Sequence, residues 1–148
     1  MTHIEFINIA ANAKRVAKVI NEIISAERWS IGGSMVLEAH GKLCRDIHDV
    51  DLIFEFKTRD NAILAYQLLD RVLDTLGKEH KKSYENVSQD VWSVEFQTPL
   101  LQYPINVLFR ERDGNILRYF LGNQWQSLNA VEEWKRKWNR GKDIEDLK

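Results

Sequence analysis

The stretch WSIGGSMVLEAHGKLCRDIHDVDLIFEF, residues 29–56, contains the two signals that decide the interpretation of the fold. A strand predicted at residues 29–31 runs into Gly32 and Gly33, and Ser34 is a suitable N-cap for a short helix. A glycine pair between a strand and a helix start suits a phosphate group, because the backbone approaches a ligand closely and presents free N–H groups. The same pair is also typical of a plain tight turn, so it does not establish a site by itself.

The second signal is the pair Asp49 and Asp51 at the start of a predicted strand, residues 49–56. Side chains two residues apart on a strand share a face, so both carboxylates point to the same side of the sheet. Two neighbouring carboxylates repel each other unless a cation lies between them, and Mg²⁺ prefers oxygen ligands. Asp is also common where strands begin. The opposite face of the strand is predicted to belong to the core and carries Val50, Leu52, Phe54 and Phe56.

Hydrophobic periodicity predicts the remaining elements. Apolar residues at spacings of three and four indicate a helix over residues 8–27 and a second long helix that begins at the cap Asp60 and ends at Gly77. The short helix after Ser34 is predicted to end at Gly41. Residues 91–96 and 105–109 indicate two strands of a hairpin, and the tail from about residue 115 to residue 148 is predicted to be helical. Strands that alternate with helices, followed by a hairpin, predict an α/β (α+β) chain with a mixed sheet and flanking helices.

Composition limits the class of protein. The chain has 148 residues, 44% of them hydrophobic and 29% charged, which fits one globular domain over residues 1–148 and no membrane protein. The formal net charge of −1 excludes a global attraction to nucleic acid or to anionic lipid. Cys44 is the only cysteine, so no internal disulfide is possible, and the polar amino-terminal segment lacks a signal-peptide pattern. A cytoplasmic location is the expectation.

The chain carries a Gly-Gly-Ser corner, then Arg45, then an Asp-x-Asp that enters an apolar strand. These motifs, in this order, resemble those of the nucleotidyltransferase superfamily. This fold is shared by DNA polymerase beta, minimal nucleotidyltransferases, lincosamide nucleotidyltransferases and abortive-infection toxins. The segment WNRGKDIEDL, residues 138–147, is similar to the ending of many toxin-like and antibiotic-modifying members. The resemblance covers most of the chain, and its opening motif is the specific part. It implies a nucleotidyltransferase-like fold.

The resemblance also implies an activity. Such an enzyme binds ATP or another NTP with Mg²⁺ or Mn²⁺ and transfers an NMP group to a hydroxyl of a small molecule, a protein or an RNA such as tRNA. The residues implied to hold the metal are Asp49 and Asp51, and those implied to bind the triphosphate are Gly32, Gly33, Ser34, Arg45 and Lys142. The family's third carboxylate falls in YPINVLF, where this chain has Asn106. An inactive nucleotide-binding or partner-binding module, with a cognate protein partner, is therefore the alternative.

Four further features leave alternatives open. Glu95 replaces the missing carboxylate only if the hairpin register turns it to the face of Asp51. Trp134 and Trp138 have the spacing of core residues on a helix, although aromatic rings also stack on nucleobases. His40 and His48 flank the Arg45 loop, where they are either plain surface residues or contacts for phosphate, and neither has a second His or Cys at zinc-like spacing. The basic cluster Lys135, Arg136, Lys137, Arg140 and Lys142 is interpreted first as a solvated helix face, and second as a contact for phosphate or RNA.

Overall fold

Seven strands form one mixed sheet in the computed structural model, which describes residues 1–43 and 45–148. The strands are β1 (Arg28–Gly32), β2 (Val50–Phe56), β3 (His80–Asn86), β4 (Asp90–Thr98), β5 (Leu101–Glu111), β6 (Arg118–Phe120) and β7 (Asn123–Trp125). The helices are α1 (His3–Ile24), α2 (Ser34–Ala39), α3 (Arg59–Thr75), α4 (Leu128–Trp138) and α5 (Gly141–Asp146). The predicted α+β class with a mixed sheet is confirmed. Cys44 lies outside the described residues.

The strand order is β3-β4-β5-β2-β1-β7-β6, and the β2–β5 and β1–β7 pairs are parallel while the others are antiparallel. One face of the sheet packs on α1 and α3 and forms the main core. The side chains predicted for the core face of β2 are buried there: Val50, Leu52, Phe54 and Phe56. The helices α4 and α5 lie over the other face, where the polar side chains of β2 point.

Side-chain caps and glycines set most helix ends. Thr58 begins α3, because its hydroxyl accepts a hydrogen bond from the Asn61 N–H at 3.1 Å. The prediction that Asp60 is this cap is therefore wrong. Gly77 and Gly41 follow α3 and α2 with φ of +66° each, as predicted for residues that end a helix.

The sequence prediction also differs from the structure in β5, the first helix, β3 and the tail. β5 begins at Leu101, four residues before the predicted strand. The first helix begins at His3 and ends at Ile24, earlier at both ends than predicted. The strand β3 was not predicted, because its side chains are almost all exposed and show no hydrophobic alternation. The tail is helical only from Leu128, since β6 and β7 come first and extend the sheet beyond β1. Among residues 1–43 and 45–148, no helix combines the length and apolar character that a membrane crossing requires.

Candidate functional site

One polar row runs across four neighbouring strands. Gly32 pairs with Asp51, Asp51 pairs with Asn106, and Asn106 pairs with Glu95. Residues directly opposite each other in adjacent strands point to the same face of the sheet. Their sequence neighbours on the two central strands point the other way and are 0% exposed, namely Val50, Leu52, Ile105 and Val107. The hydrophobic alternation of β2 and β5 therefore holds this row in register.

The glycine corner and the Asp-x-Asp motif touch each other. Gly33 has φ of +61° and ψ of −143°, a combination that side-chain-bearing residues avoid. A Cβ atom at Gly33 would lie 1.9 Å from the Asp51 Oδ2 atom, so only glycine leaves room for this carboxylate. Gly33, and not Ser34 as predicted, is the N-cap of α2. The two sequence signals are parts of one site.

A cleft of about 90 Å³ lies between the sheet and the helices α4 and α5. Seven of the eight predicted site residues line it: Gly33, Ser34, Arg45, Asp49, Asp51, Asn106 and Lys142. The eighth, Gly32, lies beneath the cleft, where a Cβ atom would lie 2.5 Å from Ile53 Cδ1 and 3.3 Å from Gln126 Cγ. Gly32 therefore allows β1 to pack closely against Ile53 of β2 and Gln126 of the loop after β7.

Asp51 has the most perturbed environment in the cleft. Burial raises the pKa of its carboxyl to about 7, and the nearby charge of Asp49 adds to this effect. The hydrogen bond that Asn106 Nδ2 donates to Asp51 Oδ1 at 3.3 Å, and the charges of Lys135 and Lys142, act in the opposite direction. The protein groups thus leave the negative charge of Asp51 under-compensated, which favours a proton or a cation at this position.

Asn106 occupies the position where the resemblance implies a third carboxylate. It supplies a hydrogen-bond donor to Asp51 instead of a charge. Glu95 does lie on the same face, because it pairs directly with Asn106. It is two strands from Asp51, which corresponds to about 10 Å at the usual strand spacing. Glu95 is thus beside the cleft, and Asn106 is the residue next to the aspartates.

Ion pairs from α5 close one end of the cleft. Arg45 donates from Nε and Nη2 to the two carboxylate oxygens of Asp146, each at 2.9 Å, and its Nη2 also donates to Ser34 Oγ at 2.9 Å. Burial works against the charge of Asp146, but these bonds and the contact with Lys135 outweigh it and hold the pKa of Asp146 below its usual value. The side chain of Asp146 is 0% exposed. Arg45 therefore has a protein partner at the position predicted for phosphate binding.

Four of the five residues of the basic cluster are exposed, as expected of a solvated face, and Lys135 is the exception. It is 5% exposed, and its Nζ atom lies 3.0 Å from Asp146 Oδ2 and 3.6 Å from Asp143 Oδ1. Arg140 binds the same Asp143 from the start of α5, with Nε 2.6 Å from Oδ2. The aspartates of the WNRGKDIEDL segment thus anchor cations that line the cleft, a role that the sequence analysis did not assign. Their spacing of three residues on a helix was the available signal.

Two tryptophans form part of the roof. The rings of Trp134 and Trp138 are 5.8 Å apart, and both half-buried side chains line the cleft rather than the main core. Arg110 lies over Trp134 at 5.2 Å and Arg140 over Trp138 at 4.2 Å. The Nε1 atom of Trp138 is buried and has no hydrogen-bond partner within residues 1–43 and 45–148.

A buried charge network adjoins the cleft and was missed from the sequence. Glu55 is 0% exposed, and its carboxylate lies 2.7 Å from Arg28 Nε and 3.4 Å from Arg110 Nε. Strand parity was the signal for it, since residue 55 shares a face with residues 49, 51 and 53. His40 and His48, by contrast, are exposed and do not line the cleft.

Neither protein-family models nor curated proteins match this sequence. Among solved structures, the chain is similar to the crystal structure of JHP933 from Helicobacter pylori, with 15% sequence identity and a TM-score of 0.41. The alignment covers 85% of this chain and 55% of that one, so the chain spans about half the length of that protein. A TM-score at this level carries no argument about function.

Proposed function

We propose that the cleft binds an NTP together with Mg²⁺ or Mn²⁺ and transfers the NMP group to an acceptor hydroxyl. The observation that carries the proposal is the contact between Gly33 and Asp51, which joins the glycine corner to the Asp-x-Asp motif. Asp49 and Asp51 would hold the cation, whose positive charge would polarise the phosphate oxygens. The raised pKa of Asp51 supports this role, because a bound cation would supply the missing compensation.

The cations of the roof and loop suit the triphosphate. Lys142 is exposed at the rim of the cleft, and Arg45 lies between Ser34 and Asp146. The acceptor hydroxyl would attack the α-phosphorus, forming an O–P bond while the bond to the β-phosphate oxygen breaks and pyrophosphate leaves. The amide of Asn106 would orient groups rather than act as a base, and the proton of the hydroxyl would pass to water.

The volume of the cleft bears on how a nucleotide would enter. At about 90 Å³ it is smaller than that of ligand pockets, which span roughly 300–1,000 Å³. The proposal therefore includes an opening in which α4 and α5 move away from the sheet. The ion pairs of Asp146 with Arg45 and Lys135 are the contacts that this opening breaks.

A second candidate function is nucleotide binding without transfer. Two observations favour it: Asn106 leaves the cleft one carboxylate short, and Arg45 is already paired with Asp146. The same cleft would then serve as a nucleotide-dependent surface for a protein partner. The two candidates share the metal and nucleotide site and differ only in chemistry.

Two measurements test the proposal. Calorimetric titration of ATP, GTP, CTP and UTP, each with Mg²⁺ and with chelator, should show binding that Mg²⁺ strengthens and that Asp49→Asn weakens at least about tenfold, which corresponds to roughly 1.4 kcal/mol. Glu133→Gln, at an exposed position of α4, is the matched control. Binding that ignores both Mg²⁺ and Asp49→Asn would refute the metal role.

Incubation with labelled NTPs, Mn²⁺ or Mg²⁺ and cell extract then separates the two candidates. A labelled acceptor that disappears with Asp51→Asn supports transfer. Metal-dependent binding without any labelled acceptor supports the second candidate.

A further inference from the structure

A second group of potential metal ligands lies away from the cleft, where the end of α3 meets the start of β3. Asp70 and Asp74 are one helical turn apart on α3, and His80 is the first residue of β3. His80 Nε2 lies 2.7 Å from Asp70 Oδ1 and 3.6 Å from Asp74 Oδ1. One atom from each residue falls within 4.8 Å of the other two.

The orientation of the imidazole is fixed by the backbone. His80 Nδ1 lies 2.7 Å from the carbonyl oxygen of Lys78, and donation of its N–H to that oxygen leaves Nε2 directed at the two carboxylates. The His80 side chain is only 7% exposed, whereas Asp74 is 70% exposed. Nε2 lies at hydrogen-bond distance from Asp70 Oδ1, so this position holds either a proton on Nε2 or a metal ion that replaces the proton. The inner side of the group is thus built by protein, and the outer side is open to water ligands.

We propose that Asp70, Asp74 and His80 form a site for a divalent transition metal of the Zn²⁺ class. The three ligand atoms lie within 4.8 Å of one another, and a metal that binds nitrogen and oxygen at about 2.0–2.2 Å fits among them once Nε2 and Asp70 Oδ1 separate from 2.7 Å to about 3.4 Å. Imidazole with carboxylates selects zinc-like ions, while Mg²⁺ prefers oxygen ligands. Lys82 Nζ lies 3.2 Å from Asp70 Oδ2, so Asp70 presents its other oxygen, Oδ1, to the metal.

The site would connect the sheet edge to a helix. Within the described part of the chain, β3 pairs only with β4 and is the outermost strand on its side of the sheet. A metal held by α3 and by the first residue of β3 would fasten this exposed edge. The competing occupant is a proton on Nε2, which gives a His–Asp ion pair and no metal affinity.

The test uses the full untagged chain in an Asp51→Asn background, which removes one carboxylate of the cleft. Zn²⁺ at about 100 times its dissociation constant should raise the Tm by roughly 5–10 °C for a chain of this size, and Mg²⁺ should not. Asp74→Asn, at a largely exposed position, and His80→Gln should each abolish the Zn²⁺ effect, while Glu133→Gln should keep it.

Co²⁺ provides a readout independent of stability, because its visible absorption reports nitrogen and oxygen ligands and should disappear in Asp74→Asn. A Zn²⁺ shift that is absent from the parent chain, or that survives in Asp74→Asn, overturns the proposal. Should His80→Gln fail to fold, Asp74→Asn decides the result alone.

Discussion

Replacement of Asp51 by Asn tests whether the buried negative charge of Asp51 destabilises the folded chain as long as no cation is bound. In the folded chain, burial and then the charge of Asp49 raise the pKa of Asp51 from 3.8 to about 7. Asn106 Nδ2 donates to Asp51 Oδ1, an atom whose counterpart Asn also has, so Asp51→Asn keeps this bond. The substitution therefore removes the charge with little change in shape.

The pKa shift gives the magnitude and the sign. Between about pH 4 and pH 7 the folded chain binds the Asp51 proton and the unfolded chain does not, so the stability of the wild type falls as the pH rises through this window. Three pKa units correspond to as much as about 4 kcal/mol. Asp51→Asn should thus be more stable than the wild type near pH 8 by up to about 4 kcal/mol, and similar to it near pH 4.

Urea unfolding in chelator at several pH values, followed by fluorescence or circular dichroism, measures this difference. Excess Mg²⁺ should then stabilise the wild type near pH 8 and leave Asp51→Asn unchanged, and Glu133→Gln should behave as the wild type in every condition. An Asp51→Asn chain that is less stable than the wild type near pH 8 in chelator would refute the electrostatic reasoning. So would a difference between the two chains that does not vary with pH.

Three further substitutions have distinct expected outcomes. Gly33→Ala places a Cβ against the Asp51 carboxylate, so it should lower the free energy of unfolding in urea by about 3 kcal/mol and abolish Mg²⁺–NTP binding. Gly41 also has a positive φ but faces open space, so the control Gly41→Ala should lower that free energy by about 1 kcal/mol and keep binding. Asn106→Asp adds a carboxylate beside Asp49 and Asp51, so calorimetry should show at least about tenfold tighter Mg²⁺ binding and urea unfolding in chelator should show lower stability. An unchanged Mg²⁺ affinity would show that position 106 is not the place of a third metal ligand. Asp146→Asn weakens the ion pair with Arg45 and should lower the free energy of unfolding by roughly 3 kcal/mol at neutral pH. Hydrogen exchange at α5 should become faster, and an unchanged rate would contradict the proposal that this ion pair holds α5 against the cleft.

The elements that the sequence predicts well are those in which hydrophobic residues recur at the period of a helix or a strand. α1 and α3 have apolar stripes at helical spacing, and β2 alternates in part, with Ile53 as the apolar exception on the face of Asp51, so its core face was predicted correctly. β3 has no such pattern, since it is an edge strand with polar side chains whose order comes from hydrogen bonds to β4. β6 and β7 are three residues each, too short to carry a period.

The same distinction applies to the cleft. The nearness of Gly33 and Asp51 was predicted from the order of the glycine corner and the Asp-x-Asp motif along the chain. The burial of Lys135 was not, because it depends on Asp143 and Asp146, which meet it only after α5 folds back along α4. A basic residue on a helix gives no local sign of such partners. Trp138 is a similar case, since its place in the roof depends on how α4 crosses the sheet.

The row of paired residues Gly32, Asp51, Asn106 and Glu95 also determines which genetic changes the cleft tolerates. Asn and Asp codons differ by a single base, so one base substitution at position 106 adds or removes a carboxylate beside Asp51 without disturbing the strand. A one-residue insertion within β2 or β5 would instead rotate every following side chain, turning carboxylates into the core and apolar groups into the cleft. Among natural variants, the charge of this cleft should therefore vary by substitution, while the lengths of these two strands stay fixed.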